Sequence, residues 1–169
     1  MESLIDYQIL QIFIANYDWP ANNMRCWRNK KDASGWKFIF FDGDGAFGDV
    51  EFDSFRHAIG KNNKAWSADE RSTLFLKKLM QNDDFRSKYL NRMVELFSDQ
   101  FNYENSSHQL EKIKSMIEPE VNNQRLRFGF PSEYETWKDT INYIDYFLKE
   151  RPDKLEQMTK KYIEKYIQQ

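Results

Sequence analysis

Two short stretches, DWPANN at residues 18–23 and FDGDG at residues 41–45, carry most of the structural information in this sequence. In the first, Asp18 and Asn23 stand in a D-x-x-x-x-N arrangement. In the second, two aspartates alternate with glycines, which permit tight backbone turns beside the carboxylates. Carboxylate and amide oxygens are the hard ligands that Mg²⁺ prefers. The two stretches are therefore candidate catalytic and metal-binding loops.

The sequence around these loops predicts the elements that hold them. Apolar residues from 3 to 15 recur at helical spacing and become nearly continuous, which predicts a buried helix. The helix is expected to stop at Asn16, since Pro20 and polar side chains that compete for backbone hydrogen bonds follow. Residues 24–28 and 36–41 are rich in aromatic and branched side chains, and a polar stretch separates them. They predict a β-hairpin that lies near the first helix.

The rest of the chain predicts a long loop and then helices. Residues 49–70 lack clear periodicity and are predicted to form a loop along the surface. Apolar residues three and four positions apart then predict five helices, at 72–81, 84–101, 106–125, 132–149 and 152–166. The last helix is expected to begin at Arg151-Pro152-Asp153. With the first helix, this predicts a mainly α protein with one β-hairpin and about six helices.

Composition predicts a single domain over residues 1–169 and excludes several classes of protein. Hydrophobic residues make up 40% and aromatic residues 17%, which is too rich for a disordered segment. The net charge of −2 provides no basic surface of the kind that nucleic acids require, so no nucleic-acid partner is expected. One cysteine and two histidines make an internal disulfide impossible and a zinc cluster unexpected. The sequence has no run of about eighteen apolar residues, so no membrane span is predicted.

The spacing of Asp18 and Asn23 matches that in the catalytic loop of protein kinases. In that loop the aspartate accepts the proton of the attacking hydroxyl and the asparagine binds a metal ion. A buried helix, a catalytic loop, a hairpin and a metal-binding aspartate follow one another in this order in a kinase C-terminal lobe. Either motif alone is often accidental, since an Asp-x-Asp pair beside glycine is more often a simple turn.

Four motifs in the same order make the chain resemble the spore coat protein H (CotH) kinase family. They are DWPANN at 18–23, Trp27-Arg28, Gly35-Trp36-Lys37 and FDGD at 41–44 leading to Phe47-Gly48. Further similarity, including Ile117-Glu118-Pro119-Glu120 and Arg151-Pro152, extends over nearly the whole chain. The resemblance implies a protein-kinase-like C-lobe that uses ATP as phosphoryl donor and protein serine or threonine as acceptor.

Carried over residue by residue, the resemblance implies that Asp18 is the catalytic base and that Asn23 and Asp44 bind metal. Mg²⁺ and ATP are the cofactors that it implies for the intact protein. The family usually has an aromatic residue after the second aspartate, whereas Gly45 follows Asp44 here. This difference leaves open whether Asp42 or Asp44 faces the metal ion.

A kinase also needs an N-terminal lobe, with a lysine on a strand that pairs with the nucleotide phosphates. The chain starts at the helix before the catalytic loop, so we expect this N-lobe upstream, in a longer protein. The fragment alone is then expected to be inactive, and the intact protein to phosphorylate a protein substrate. The alternative is an inactive kinase-like interaction module. The resemblance implies a spore coat or cell-surface location in either case.

Structural roles are predicted for the other conspicuous side chains. Neither His57 nor His108 has a serine or cysteine partner at a recognisable spacing, so both are expected to be solvated or to cap a helix. Core and loop packing is expected for the aromatic residues Trp19, Trp27, Trp36 and Trp66.

Overall fold

The computed structural model describes residues 1–31, 33, 35–60 and 66–167, with side chains up to residue 162. These ranges contain one two-stranded antiparallel sheet and six α-helices. The predicted mainly α fold with a single hairpin is therefore confirmed. In chain order the elements are α1 (Glu2–Phe13), β1 (Arg25–Trp27), β2 (Lys37–Ile39), α2 (Ser54–Ala58), α3 (Glu70–Leu79), α4 (Asp83–Ser98), α5 (Tyr103–Phe128) and α6 (Tyr134–Ile167).

The chain divides into two compact units. One consists of Met1–Glu95 with Asp153–Gln169, and the other consists of Leu96–Pro152. The candidate loops and the hairpin belong to the first unit. In the second unit, Tyr103 of α5 donates a hydrogen bond to Asp145 of α6, and Tyr134 of α6 donates one to Glu118 of α5. These two pairs show that α5 and the first part of α6 run antiparallel.

Helix α1 is the central element of the first unit. Isolated helices of its length are marginal in water, so its stability depends on burial of its apolar side chains. Ile9 and Ile12 are each only 1% exposed, and the helix contacts both β2 and α2. Arg92 of α4 donates a hydrogen bond of 2.7 Å to Asp6 on the same helix. The buried helix predicted before the first loop is therefore confirmed.

The β-hairpin lies against α1, as predicted. Arg25 pairs with Ile39 and Trp27 pairs with Lys37 across the two strands. The backbone N–H of Phe38 donates to Ser3 Oγ at 2.9 Å. The Tyr7 ring of α1 packs on the Phe38 ring with 5.5 Å between centroids.

The prediction of a surface loop over residues 49–70 is wrong in part, because the structure contains two short helices within this range. Residues 54–58 form α2, a short 3-10 helix spans Trp66–Ala68, and residues 61–65 of the predicted loop lie outside the described ranges. Asp53 caps α2 by accepting a hydrogen bond from Arg56 N, and Phe55 is fully buried. A five-residue helix spans little more than one turn, so it shows no periodicity in sequence.

The predicted start of a separate helix at Arg151-Pro152-Asp153 is also wrong, because α6 continues through Pro152. Proline lacks the N–H of an interior helical hydrogen bond, at a cost of about 3 kcal/mol. Phe147 and Leu155, on either side of it, are both fully buried, and apolar burial of this kind stabilises the helix on each side of the proline.

The predicted core and loop packing of four tryptophans is confirmed by burial only for Trp19. Trp19 is 2% exposed, whereas Trp27, Trp36 and Trp66 are 51–56% exposed. The guanidinium group of Arg28 lies 5.3 Å from the centre of the Trp36 ring.

Candidate functional site

The loop that carries Asp18 is fixed to the end of α1 by Asn16. The Asn16 side chain is buried and donates from Nδ2 to Gln11 Oε1 at 2.9 Å. Its Oδ1 accepts a hydrogen bond from the backbone N–H of Asp18 at 3.1 Å. The backbone carbonyl of Asp18 in turn accepts from Asn22 N at 3.1 Å. Both backbone polar groups of Asp18 are therefore bonded, which orients the half-buried side chain.

Sequence reasoning did not predict this role of Asn16. The available signal was the tendency of asparagine to bond the backbone two residues further on, which the structure realises at Asp18.

Two hydrogen bonds that involve no carboxylate join the aspartate loop at residues 41–45 to the Asp18 loop and its flanking residue, from Tyr17 N to Gly45 O (3.0 Å) and from Asn23 Nδ2 to Asp42 O (3.1 Å). A third bond, from Phe47 N to Ile14 O (2.8 Å), joins the residues after the aspartate loop to the end of α1. Since the amide nitrogen of Asn23 bonds the carbonyl of Asp42, its amide oxygen is the atom suited to bind a cation.

The carboxylates of the two loops influence one another. The pKa of Asp42 is raised above its ordinary value, mainly by the negative charge of Asp44. Loss of hydration, a hydrogen bond with Asp44 and the charge of Asp18 contribute further. The structure therefore brings Asp18, Asn23 and both aspartates of the second loop together. Their assignment as base and metal ligands stays a prediction.

Gly45 permits the close approach of the two loops. A Cβ atom at this position would lie 3.2 Å from Asn16 Oδ1 and 3.4 Å from Asp18 Cγ. A larger side chain would require the Asn16 and Asp18 side chains to move. Glycine at position 45 is thus matched to its close surroundings.

Strained backbone is concentrated in these loops. Among the residues that the structure describes, four that are not glycine have positive φ: Ala15 (53°), Asn23 (61°), Asp42 (56°) and Phe47 (59°). Each such residue costs on the order of 1–3 kcal/mol, and such residues cluster where function requires a fixed geometry. Asn23 and Asp42 lie in the two candidate loops, and Ala15 and Phe47 lie within three residues of them.

His57 is a residue whose position the sequence did not predict. It is fully buried, and its Nε2 lies 2.8 Å from the backbone carbonyl oxygen of Trp19 in the Asp18 loop. The expected solvated or capping role is therefore wrong for His57, whereas His108 is exposed as predicted. Burial lowers the pKa of His57, so the imidazole is neutral at neutral pH.

Neutralising Asp42 is expected to stabilise the protein when no divalent cation is present. The raised pKa means that ionised Asp42 is disfavoured in the folded state, so stability is lost as pH rises through the folded pKa. Asparagine also tolerates the positive φ of this position. We expect Asp42→Asn to raise the melting temperature in EDTA at about pH 7. The gain should vanish in acid, where the wild-type carboxyl is already protonated.

Scanning calorimetry of the two proteins checks this prediction. Asp99→Asn, at an exposed acid outside the site, is the matched control and should produce no gain. An equal or lower melting temperature for Asp42→Asn in EDTA would contradict the repulsion described above.

His57 is expected to make stability depend on pH. Since its pKa is lowered in the folded state, the unfolded chain binds the proton more readily, and stability is lost as pH falls below about 6.5. His57→Gln cannot be protonated in this range. Its melting temperature should therefore fall less than that of the wild type between about pH 7 and pH 5. His108→Gln, at an exposed site, should show the same change of melting temperature with pH as the wild type. An equal change for all three proteins would refute the prediction.

Oxygen donors of the kind that Mg²⁺ prefers lie together at the two loops. Within the described ranges, no group of three or more His, Cys, Asp or Glu side chains is placed to hold a metal ion by itself. Mg²⁺ is commonly bound by one or two carboxylates together with phosphate oxygens and water. Asn23 and Asp44, with Asp42 as the alternative carboxylate, are the predicted ligands of such a site, and this assignment stays a prediction.

Helix α1, the Asp18 loop, the hairpin and the aspartate loop follow one another in the order found in a kinase C-terminal lobe. A family model described as CotH kinase protein matches residues 1–155. The chain therefore belongs to the CotH kinase family. No curated protein and no solved structure matches it significantly.

Among the helices that the structure describes, none has both the length and the apolar character needed to cross a bilayer.

Proposed function

We propose that this chain is the C-lobe of an atypical protein kinase that, joined to its N-lobe, transfers the γ-phosphoryl group of ATP to serine or threonine of a protein substrate. The observation that supports the proposal is the junction of two loops that places Asp18 beside Asn23 and the aspartate pair. Membership of the CotH kinase family supports a kinase-like role in general.

In this proposal, Asp18 is the base. It accepts the proton of the attacking hydroxyl as the oxygen bonds to phosphorus. Its backbone N–H and C=O are both held by hydrogen bonds, so the carboxylate needs little reorganisation when substrate binds.

Asn23 and Asp44 hold Mg²⁺ in this proposal, and Asp42 is the alternative to Asp44. When bound with ATP, Mg²⁺ offsets the negative charge of the phosphates and orients them for transfer. The repulsion that raises the pKa of Asp42 is a property expected of carboxylates that share a cation.

The test is a phosphotransfer assay on the full-length protein that contains this chain. The protein is incubated with γ-labelled ATP, with and without Mg²⁺, and with several serine- and threonine-rich acceptor proteins. Mass spectrometry then locates phosphoserine or phosphothreonine, autophosphorylation included. We expect incorporation that requires Mg²⁺. If no acceptor is labelled and MgATP does not shift the melting temperature, the kinase proposal fails and the alternative, an inactive kinase-like interaction module, takes its place.

A further inference from the structure

We propose that His57 and Ser67 form a clamp that positions Asp18 by holding the backbone carbonyls on either side of it. The inference deepens the proposed function and rests on it, because it assigns positioning residues to the proposed base. His57 lies on α2 and Ser67 on the 3-10 helix, and both side chains are fully buried. Neither residue belongs to the carboxylate and amide set at the two loops.

The contacts of the clamp fall on both neighbours of Asp18. His57 Nε2 lies 2.8 Å from the carbonyl oxygen of Trp19, and Ser67 Oγ donates to the carbonyl oxygen of Tyr17. The backbone carbonyl of Ser67 also accepts from Ala21 N at 3.0 Å. The loop from Tyr17 to Ala21 is therefore bonded at three points to the segment that begins with α2.

Hydrogen-bond chemistry fixes the state of the histidine. A backbone carbonyl can only accept, so His57 carries its hydrogen on Nε2 when the ring is neutral. Ser67 Oγ lies 3.2 Å from the same nitrogen and, with its own hydrogen given to Tyr17, can accept a share of that N–H. The two side chains thus act together on the two carbonyls.

Aromatic contacts hold the imidazole ring in place. The Tyr17 ring stacks on it with 5.8 Å between centroids and 27° between planes, and the Phe52 ring lies at 5.1 Å. Ser54, also on α2, donates from Oγ to the carbonyl of Ile12 at 2.6 Å, which fixes α2 to α1. Helix α1, which precedes the Asp18 loop, is therefore bonded directly to α2, which carries His57.

Hydrogen exchange tests the clamp without relying on activity. In the full-length protein, His57→Leu removes the donor to Trp19, and Ser67→Ala removes only the hydroxyl that bonds Tyr17. Either variant should speed amide exchange across residues 17–22 by about tenfold or more. His57→Gln, whose Nε2 can still donate, should restore slow exchange. Leu76→Ala is the matched control, because it removes buried side-chain atoms from α3, a helix that carries neither clamp residue.

Kinetics of the same variants test the positioning role. We expect His57→Leu and Ser67→Ala to lower kcat by about tenfold or more with little change in the KM for ATP, since a slightly misplaced base slows the chemical step. His57→Gln should recover most of the wild-type turnover. The Leu76→Ala variant should keep wild-type turnover when it is assayed well below its own melting temperature. If His57→Leu fails to fold, the kinetics of Ser67→Ala alone test the positioning role.

Faster exchange with unchanged kcat would overturn the positioning role and leave a purely structural one. Unchanged exchange in both variants would overturn the clamp itself. If the wild-type protein transfers no phosphate yet exchange responds as expected, the clamp stands and the kinase proposal fails, so the two failures are distinguishable.

Discussion

Asp18→Asn in the full-length protein is expected to lower kcat for phosphotransfer by about 10²- to 10⁴-fold, the range that a positioned general base contributes. Asparagine has the same shape, and the hydrogen bonds that orient residue 18 use its backbone N–H and C=O. The loop should therefore keep its conformation while losing the proton acceptor. Affinities for MgATP should change little, so the loss should fall on turnover.

Single-turnover and steady-state assays separate these effects. Asp49→Asn is the matched control, because its Oδ1 accepts a hydrogen bond from Glu51 N that asparagine can also accept. If Asp18→Asn reduces kcat by less than about tenfold, roughly 1.4 kcal/mol of barrier, Asp18 is not the base.

Asp44→Asn is expected to raise the Mg²⁺ concentration needed for half-maximal activity by about tenfold or more. Loss of a residue that only hydrogen-bonds a metal ligand already lowers metal affinity by about 10- to 100-fold. The substitution removes the negative charge of the carboxylate proposed to bind the cation. Turnover at saturating Mg²⁺ should also fall. The stabilisation of the folded protein by Mg²⁺ and nucleotide should weaken in parallel, which provides a readout independent of activity.

Asp42→Asn is the internal control for this pair. If it, rather than Asp44→Asn, produces the metal-dependent defect, the ligand assignment is reversed and the kinase proposal stands. If neither variant changes the Mg²⁺ requirement, the aspartate loop does not bind the catalytic metal.

Local sequence pattern predicted those parts of the fold that local interactions determine. Helix α1 followed from apolar periodicity, and the hairpin followed from two aromatic-rich segments around a polar turn. The two loops were recognisable because their spacing of acids, amide and glycines is unusual in combination. Their close approach is consistent with the prediction that they form one site, although the roles of the individual residues stay predictions.

The supports of the site could not be predicted, because they depend on contacts between distant parts of the chain. His57 bonds a carbonyl 38 positions away, and nothing in the residues around it indicates burial. Likewise, α2 is too short to show a period. The continuation of α6 through Pro152 reflects tertiary burial, which overrides local propensity.

The bonds between the two loops involve only neutral groups, and this has a consequence for how a cation would be taken up. Because backbone amides and Asn23 make these bonds, the contact between the loops does not depend on a bound cation. In the proposed function, Mg²⁺ then binds without the cost of ordering a loop, and the two loops stay joined when it leaves.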